Sequence, residues 1–329
     1  MDSTQLYPLK FDPIYQYRVW GGRRLQHLLK KPLPPDDPIG EAWILSDRDD
    51  HPSKVSNGPL EGKTIKQLLK SAAKELMGPL ADKFDRFPLL LKFLDCKEVL
   101  SVQVHPSDLL KKYIPKGEHG KTESWVVLET GKEARIYAGL KNGTTPGKLQ
   151  EDLKTSTVGD DLAGFKPEVG ECVLIKAGTV HTLRDVVVFE VQENSDITFR
   201  LYDWDRTDPK TGKPRDLQVD DALACINFSA AELQPVKPEI QGNGPGLQEK
   251  LATDEHFTIL RHTGDSPFLI GADNEPRILV GVEGEGSVEY QTELYPFKKG
   301  EVMLLPATVG ACPLIPKNKI VLLEIVLPK

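Results

Sequence analysis

Ser101-Val102-Gln103-Val104-His105-Pro106 alternates polar and apolar residues. In an extended strand such residues point to opposite faces, so Ser101, Gln103 and His105 share one side. Glu123, in Lys121-Thr122-Glu123-Ser124-Trp125, opens the next strand, and His181 follows a turn that ends another. Two imidazoles and a carboxylate are a usual donor set for a divalent cation with an open position, zinc being the commonest occupant. A lone His-Pro pair, taken by itself, ends a strand more often than it binds an ion. The glycines at 170 and 178, three residues before His181, give the segment a more particular shape.

Those residues need strands to hold them, and the chain supplies many. Gly 27 and Pro 26 suit short strands joined by turns. Residues 89–94, 99–104, 124–128, 134–137, 172–175 and 186–192 read as strands, and further strands follow at 257–260, 277–282, 287–291, 302–305 and 320–327. Two stretches differ. Ile65, Leu68, Leu69, Ala72, Ala73, Leu76 and Met77 recur at helical spacing after Thr64, a plausible N-cap, and Gly78-Pro79 interrupts them. A short helix is expected over 219–226. The fold class expected is therefore all-β, a sandwich or barrel over residues 1–228 with a helical insertion around 62–84. A linker over 229–248, rich in Gly and Pro around Gly242-Asn243-Gly244-Pro245-Gly246, leads to a second β-domain over 249–329. A repeat joins the halves. The run from Gly170-Glu171 to His181 can be laid on that from Gly300-Glu301 to Ala311, so the second half lacks the histidine.

The Gly170–Gly178–His181 shape resembles the second motif of the cupin barrels, with Lys176 where proline is usual. That resemblance implies the double-stranded β-helix (jelly-roll) form of the barrel. More specific are Ser-Val-Gln-Val-His-Pro, Lys121-Thr122-Glu123-Ser124-Trp125 and the run Asn194-Ser195-Asp196-Ile197-Thr198-Phe199-Arg200 through Asp203-Trp204-Asp205-Arg206. Together with Val19-Trp20-Gly21-Gly22, Gly40-Glu41-Ala42-Trp43 and Pro88-Leu89-Leu90-Leu91-Lys92, in the same order, they resemble the type I mannose-6-phosphate isomerases in their short bacterial form. The likeness is good over about the first 228 residues and only an outline beyond.

The resemblance implies an aldose–ketose isomerase that interconverts mannose 6-phosphate and fructose 6-phosphate through an enediol(ate), with one Zn²⁺ per chain. It places the metal on Gln103, His105, Glu123 and His181. Arg200, Glu190, Asp196 and Lys121 fall on the family's reacting pocket, and Ser101 and Lys92 on groups that hold the substrate phosphate. Leu183 departs from the longer form, which has an aromatic residue there. Without the resemblance, Lys92 reads as a rim lysine, Ser101 as a satisfied hydroxyl and Arg200 as an ion-pair partner of Asp203 or Asp205. A cupin that senses sugar phosphate without turning it over would use the same pocket. An iron-dependent oxygenase would suit His105, Glu123 and His181, but not the cationic and hydroxyl groups beside them.

Composition sets the outer limits. The 329 residues suit two domains, and 42 Lys+Arg against 49 Asp+Glu leave a net charge of −7, unlike a nucleic-acid binder. No run approaches the roughly 18 apolar residues of a membrane helix. The start Met1-Asp2-Ser3-Thr4 carries no signal pattern, and Cys96, Cys172, Cys225 and Cys312 are scattered. A cytoplasmic monomer or homodimer acting on a small sugar phosphate is expected, with His27, His51, His119, His256 and His262 outside the chemistry, Trp20 and Trp43 in the core, and Asp47-Arg48-Asp49-Asp50 a solvated turn.

Overall fold

A computed structural model describes residues 5–242 and 246–328. Met1-Asp2-Ser3-Thr4 and the Asn243-Gly244-Pro245 part of the expected linker lie outside the described residues.

A curled nine-stranded antiparallel sheet carries the residues singled out first. Its path runs Phe199–Tyr202, Val102–Val104, His181–Glu193, Leu89–Cys96, Ile14–Gly22, Ile39–Leu45. The long strand Glu123–Leu140 pairs with His181–Glu193, Cys172–Ile175 and Leu162–Phe165. The period of two decides what each strand faces. Leu89, Leu91 and Phe93 join Val187, Phe189 and Val191 in one core, whereas Leu94 and Cys96 join Trp125, Val186 and Val188 in another, inside the barrel. Lys92 and Glu190 lie on that second, inward side.

The C-terminal half has seven strands in one sheet, Leu9–Lys10, Val302–Leu305, Arg277–Glu283, Ile320–Val326, Thr258–Gly264, Leu247–Thr253 and Glu239–Gln241. A four-stranded sheet packs against it: Phe268–Ile270, Cys312–Pro316, Glu285–Tyr290 and Glu293–Lys298. Phe268, Leu279, Val288, Phe297, Met303 and Leu322 fill the space between them. Two strands cross the expected limits. Leu9–Lys10 pairs with Met303 and Leu304, and Glu239–Gln241 forms within the stretch read as linker, pairing with Gln248–Lys250. The largest core likewise contains residues of both halves, among them Leu45, Phe93, Phe189, Phe257, Val280 and Ile325.

The insertion helix, Ile65–Met77, starts as its spacing predicts. Thr64 Oγ1 accepts the Gln67 N–H while the Gln67 side chain accepts the Thr64 N–H, a reciprocal cap. Ile65, Leu68, Leu69, Ala72, Leu76 and Met77 are its buried face, and a short 3-10 turn, Gly78–Asp82, follows. A helix over Pro146–Thr155, capped by Thr145, was not visible in the apolar pattern, since only Leu149 is buried there. The expected strands 124–128 and 134–137 are one strand whose register shifts between Thr130 and Arg135.

The repeat is present in the backbone. Gly170 N–H donates to Val127 O and Val127 N–H to Glu171 O; Gly300 N–H donates to Gly281 O and Gly281 N–H to Glu301 O. Both glycines have positive φ, 88° and 82°, where residues with a Cβ are strained. The strands that follow, Cys172–Ile175 and Val302–Leu305, occupy the same offsets from them.

Candidate active site

Two transverse rows of the barrel sheet assemble the site. In one, Arg200 pairs with Gln103, Gln103 with His181 and His181 with Ala138. In the other, Trp43 pairs with Lys92, Lys92 with Glu190 and Glu190 with Trp125. Residues in a row stand side by side on one face, so segments far apart in sequence meet. Glu123 opens its strand opposite Gln192.

His105, Glu123 and His181 come together, each at most 1% exposed, with one ligand atom apiece mutually within 4.8 Å. Glu123 Oε2 is 3.4 Å from His105 Nε2, and Glu123 Oε1 is 3.3 Å from His181 Nε2. His181 Nδ1 lies 2.9 Å from Thr179 O, so its N–H donates there and Nε2 carries the lone pair. Burial lowers the pKa of both histidines, His105 to about 3 with the charge of Lys121 adding to the effect. Neutral imidazole lone pairs thus face a carboxylate. Burial alone would raise Glu123, yet Lys121, 2.8 Å away, holds it ionised well below the usual carboxylate range. Among the described residues both His105 nitrogens and Glu123 Oε1 are buried without a hydrogen-bond partner, and Glu123 Oε2 has only the Lys121 ammonium. Such a set costs free energy unless a cation satisfies it, and two nitrogens and an oxygen suit a borderline divalent ion. Gln103 Nε2 is 3.1 Å from His181 Nε2; turning that amide over would present its oxygen to the same point.

The set adjoins a cleft of about 390 Å³ lined by Gln103 and Lys121 and, further along, by Arg200 and Arg215. Burial disfavours the Lys121 charge, but Glu123 and Glu190 outweigh it and raise its pKa. Glu190 is 3% exposed; Trp125 Nε1 donates to its Oε2 at 2.9 Å, and its Oε1 is 3.4 Å from Lys92 Nζ. Burial and the Glu123 charge raise the Glu190 pKa against the pull of Lys121 and Lys92. Lys92 Nζ also lies 3.8 Å from both Glu41 and Asp196 and 5.0 Å above the Trp43 ring. Glu41 accepts from Arg18 through both oxygens and from Trp43 Nε1. Burial would raise Glu41, but Arg18 and Lys92 bring it down to about 2.

Known proteins show the same arrangement of chain. Residues 8–123 match the model of the phosphomannose isomerase type I catalytic domain. A mannose-6-phosphate isomerase of Bacillus subtilis is 34% identical over 309 residues, covering 92% of this chain and 94% of that protein. The chain belongs to the type I phosphomannose isomerase family. One from Streptococcus mutans is 29% identical over 92% of this chain and 93% of its own. The crystal structure of the mannose 6-phosphate isomerase from Bacillus subtilis superposes with a TM-score of 0.89 at 28% identity, over 98% of this chain and all of that one. The chain is thus an isomerase on the cupin fold, as its motifs implied.

Ser101, Gln103, Lys92, Lys121, Glu190, Asp196 and Arg200 all line one cleft, beside His105, Glu123 and His181. Asp203 pairs with Arg206 and Arg215, whereas Arg200 donates through Nη1 to Asp216 O and leaves a buried Nε unpartnered among the described residues. Arg18, Glu41 and Arg215 had no assigned role. Glu41 and Trp43 lay within a motif already noted, and the strand register was the missing signal. Trp20 and Trp43 are buried as expected, but Asp47 is not solvated: it is 2% exposed and accepts the Phe87 N–H. Arg48 pairs with Glu118. His256 and His262 likewise meet carboxylates, Glu193 and Glu324, on strands remote in sequence.

Proposed function

We propose that this enzyme interconverts D-mannose 6-phosphate and D-fructose 6-phosphate, with His105, Glu123, His181 and Gln103 holding one Zn²⁺. The observation that carries the reading is the buried His–Glu–His set, in which both His105 nitrogens and Glu123 Oε1 lack a hydrogen-bond partner among the described residues, opening on a cleft lined with both acids and cations. Bound there, the ion supplies Lewis-acid stabilisation of the negative charge that develops on the sugar oxygens.

The chain's own groups do the rest. Glu190, its basicity raised by burial and its orientation fixed by Trp125, is the proton carrier. Its Oε1 takes the C2 proton of the open-chain aldose; the C–H electron pair becomes the C1–C2 double bond and O1 gains the negative charge. Return of that proton to C1, with the O2 proton passing to O1, completes the ketose. Lys121 and Arg200 add fixed positive charge for the oxyanion, Arg200 one that cannot titrate away. Asp196, half-exposed at the cleft, bonds the sugar hydroxyls.

Ser101 and Lys92 are the residues the resemblance offers for the phosphate. Lys92 is already ringed by three carboxylates, a poor field for a dianion. Arg200 and Arg215, set against Asp208, leave a net positive wall in the same cleft. The phosphate goes there, with Ser101 as donor, and Lys92 orders Glu190 and Asp196. The four cysteines are buried and unpaired, which suits the reducing cytoplasm.

A coupled assay with mannose 6-phosphate tests the reading: turnover should vanish with chelator and return with Zn²⁺. Sugar phosphate bound without turnover indicates a sensor, and dioxygen consumption indicates an oxygenase. Either result defeats the proposal.

A further inference from the structure

The C-terminal half has Ala311 where its counterpart has His181, yet it touches the first half beside the metal-ligand set. His256 sits in the turn between Leu247–Thr253 and Thr258–Gly264, closed by the Asp254 N–H on Phe257 O. Its Nδ1 is 3.4 Å from Glu193 Oε2. Glu193 is 6% exposed and ends the strand that His181 begins. Its other oxygen accepts the Thr122 N–H at 2.7 Å, and the Glu193 N–H donates to Thr122 O at 3.2 Å. Thr122 lies between Lys121 and Glu123. Two residues earlier Asp108 Oδ1 accepts the Gly120 N–H at 2.7 Å, and the Lys121 N–H reaches Pro106 O at 3.1 Å.

The short backbone segment in front of the ligand carboxylate is therefore held from several sides, and every hold but one comes from the barrel itself. The exception is indirect: Glu193 grips Thr122, and His256 grips Glu193. Burial lifts Glu193 to about 7 even with His256 and the Thr122 bond pulling it down. A hydrogen bond to an ionised carboxylate is about twice as strong as one to a neutral group, so a cationic or donor partner here tightens the hold on Thr122. Asp108, Asp254 and Glu255 surround the imidazole, and Lys176 lies 3.5 Å from Asp254.

We propose that His256 is a positioning residue: from the half without ligands it keeps the Glu193 carboxylate on the Thr122 backbone, and so fixes Lys121 and Glu123 at the metal set. The inference rests on the metal reading of His105, Glu123 and His181 for its second part only. The brace itself can be read without metal.

Amide hydrogen exchange on the metal-free full chain measures it. In His256→Ala the Thr122 amide should exchange at least tenfold faster, and in His256→Gln, which keeps a side-chain donor, close to the parent rate. Unchanged Thr122 exchange in His256→Ala overturns the brace. Zn²⁺ affinity, read by competition with a chromophoric chelator, should fall about tenfold in His256→Ala, as for other supports of metal ligands, and recover in His256→Gln. Faster exchange with undiminished Zn²⁺ affinity overturns the coupling to the metal set. A parent chain that binds no Zn²⁺, with Thr122 exchange still accelerated in the variant, supports the brace and defeats the metal reading instead.

Discussion

Lys92 and Arg215 illustrate how position divides the work of two cations in one cleft. Lys92 is 3% exposed and meets Glu190, Glu41 and Asp196; Arg215 gives Nε and Nη2 to Asp203 and leaves Nη1 for a ligand. Removing Lys92 disturbs Glu190, the proposed proton carrier, so Lys92→Met should cost about a hundredfold in kcat with little change in KM. Arg215→Ala should raise KM about tenfold and leave kcat within a few fold. Steady-state kinetics with mannose 6-phosphate reads both; a Lys92→Met enzyme altered only in KM returns the phosphate to Lys92. Glu41 makes a second prediction. Its folded pKa of about 2 is below the ordinary 4.5, so its ion pairs stabilise the fold fully above about pH 4.5, and that contribution disappears as pH falls toward 2. Glu41→Gln should be less stable at neutral pH, and its urea midpoint should fall less between pH 4.5 and 2 than the parent's. Parallel curves rule out this role for Glu41. At this scale much was legible: alternation alone put Ser101, Gln103 and His105 on one face. Arg18, Glu41 and Arg215 were not, because a charge shows its partner only once the register of distant strands is known.

Among the elements, the insertion helix shows how far a local pattern reaches. Thr64 and the apolar spacing announce its start and Gly78-Pro79 its end. What holds that end lies far along the chain: Leu76 O and Glu75 O accept the N–H groups of Ala307 and Thr308, and Thr308 Oγ1 also donates to Glu75 O. Gly78 closes the helix at φ 57°, ψ −133°, and a Cβ there would lie 2.4 Å from Asn274 O. Gly78→Ala should therefore destabilise the protein by about 2–3 kcal/mol in urea unfolding, through both backbone strain and the collision. A loss under about 0.5 kcal/mol contradicts that account. The repeat was readable because turn chemistry is local: a Gly-Glu pair before an apolar strand makes the same hydrogen bonds at 170 and 300. The helix Pro146–Thr155 was not, since one buried leucine leaves no periodic stripe.

For the molecule as a whole, the sequence suggests a two-part plan and is silent on the core that segments of both parts share. Composition signals such as the Gly- and Pro-rich stretch mark where a chain can bend, whereas a shared core is a property of contacts between distant segments. Leu45, Phe93 and Phe189 pack in one cluster with Phe257, Val280 and Ile325. A polypeptide ending at residue 228 would leave that face in water, at roughly 25 cal/mol per Å² of apolar surface. Expressed alone, residues 1–228 should be insoluble or molten, and the full chain should unfold in a single calorimetric transition. A soluble, cooperatively melting fragment counts against the interlock. The strand Leu9–Lys10, paired with Met303 and Leu304 and tied by Lys10 to Glu301, carries this to biosynthesis. It leaves the ribosome well before its partner does, and until Met303 and Leu304 follow, its sheet edge has nothing to bind, so the nascent polypeptide carries an unpaired strand through that interval.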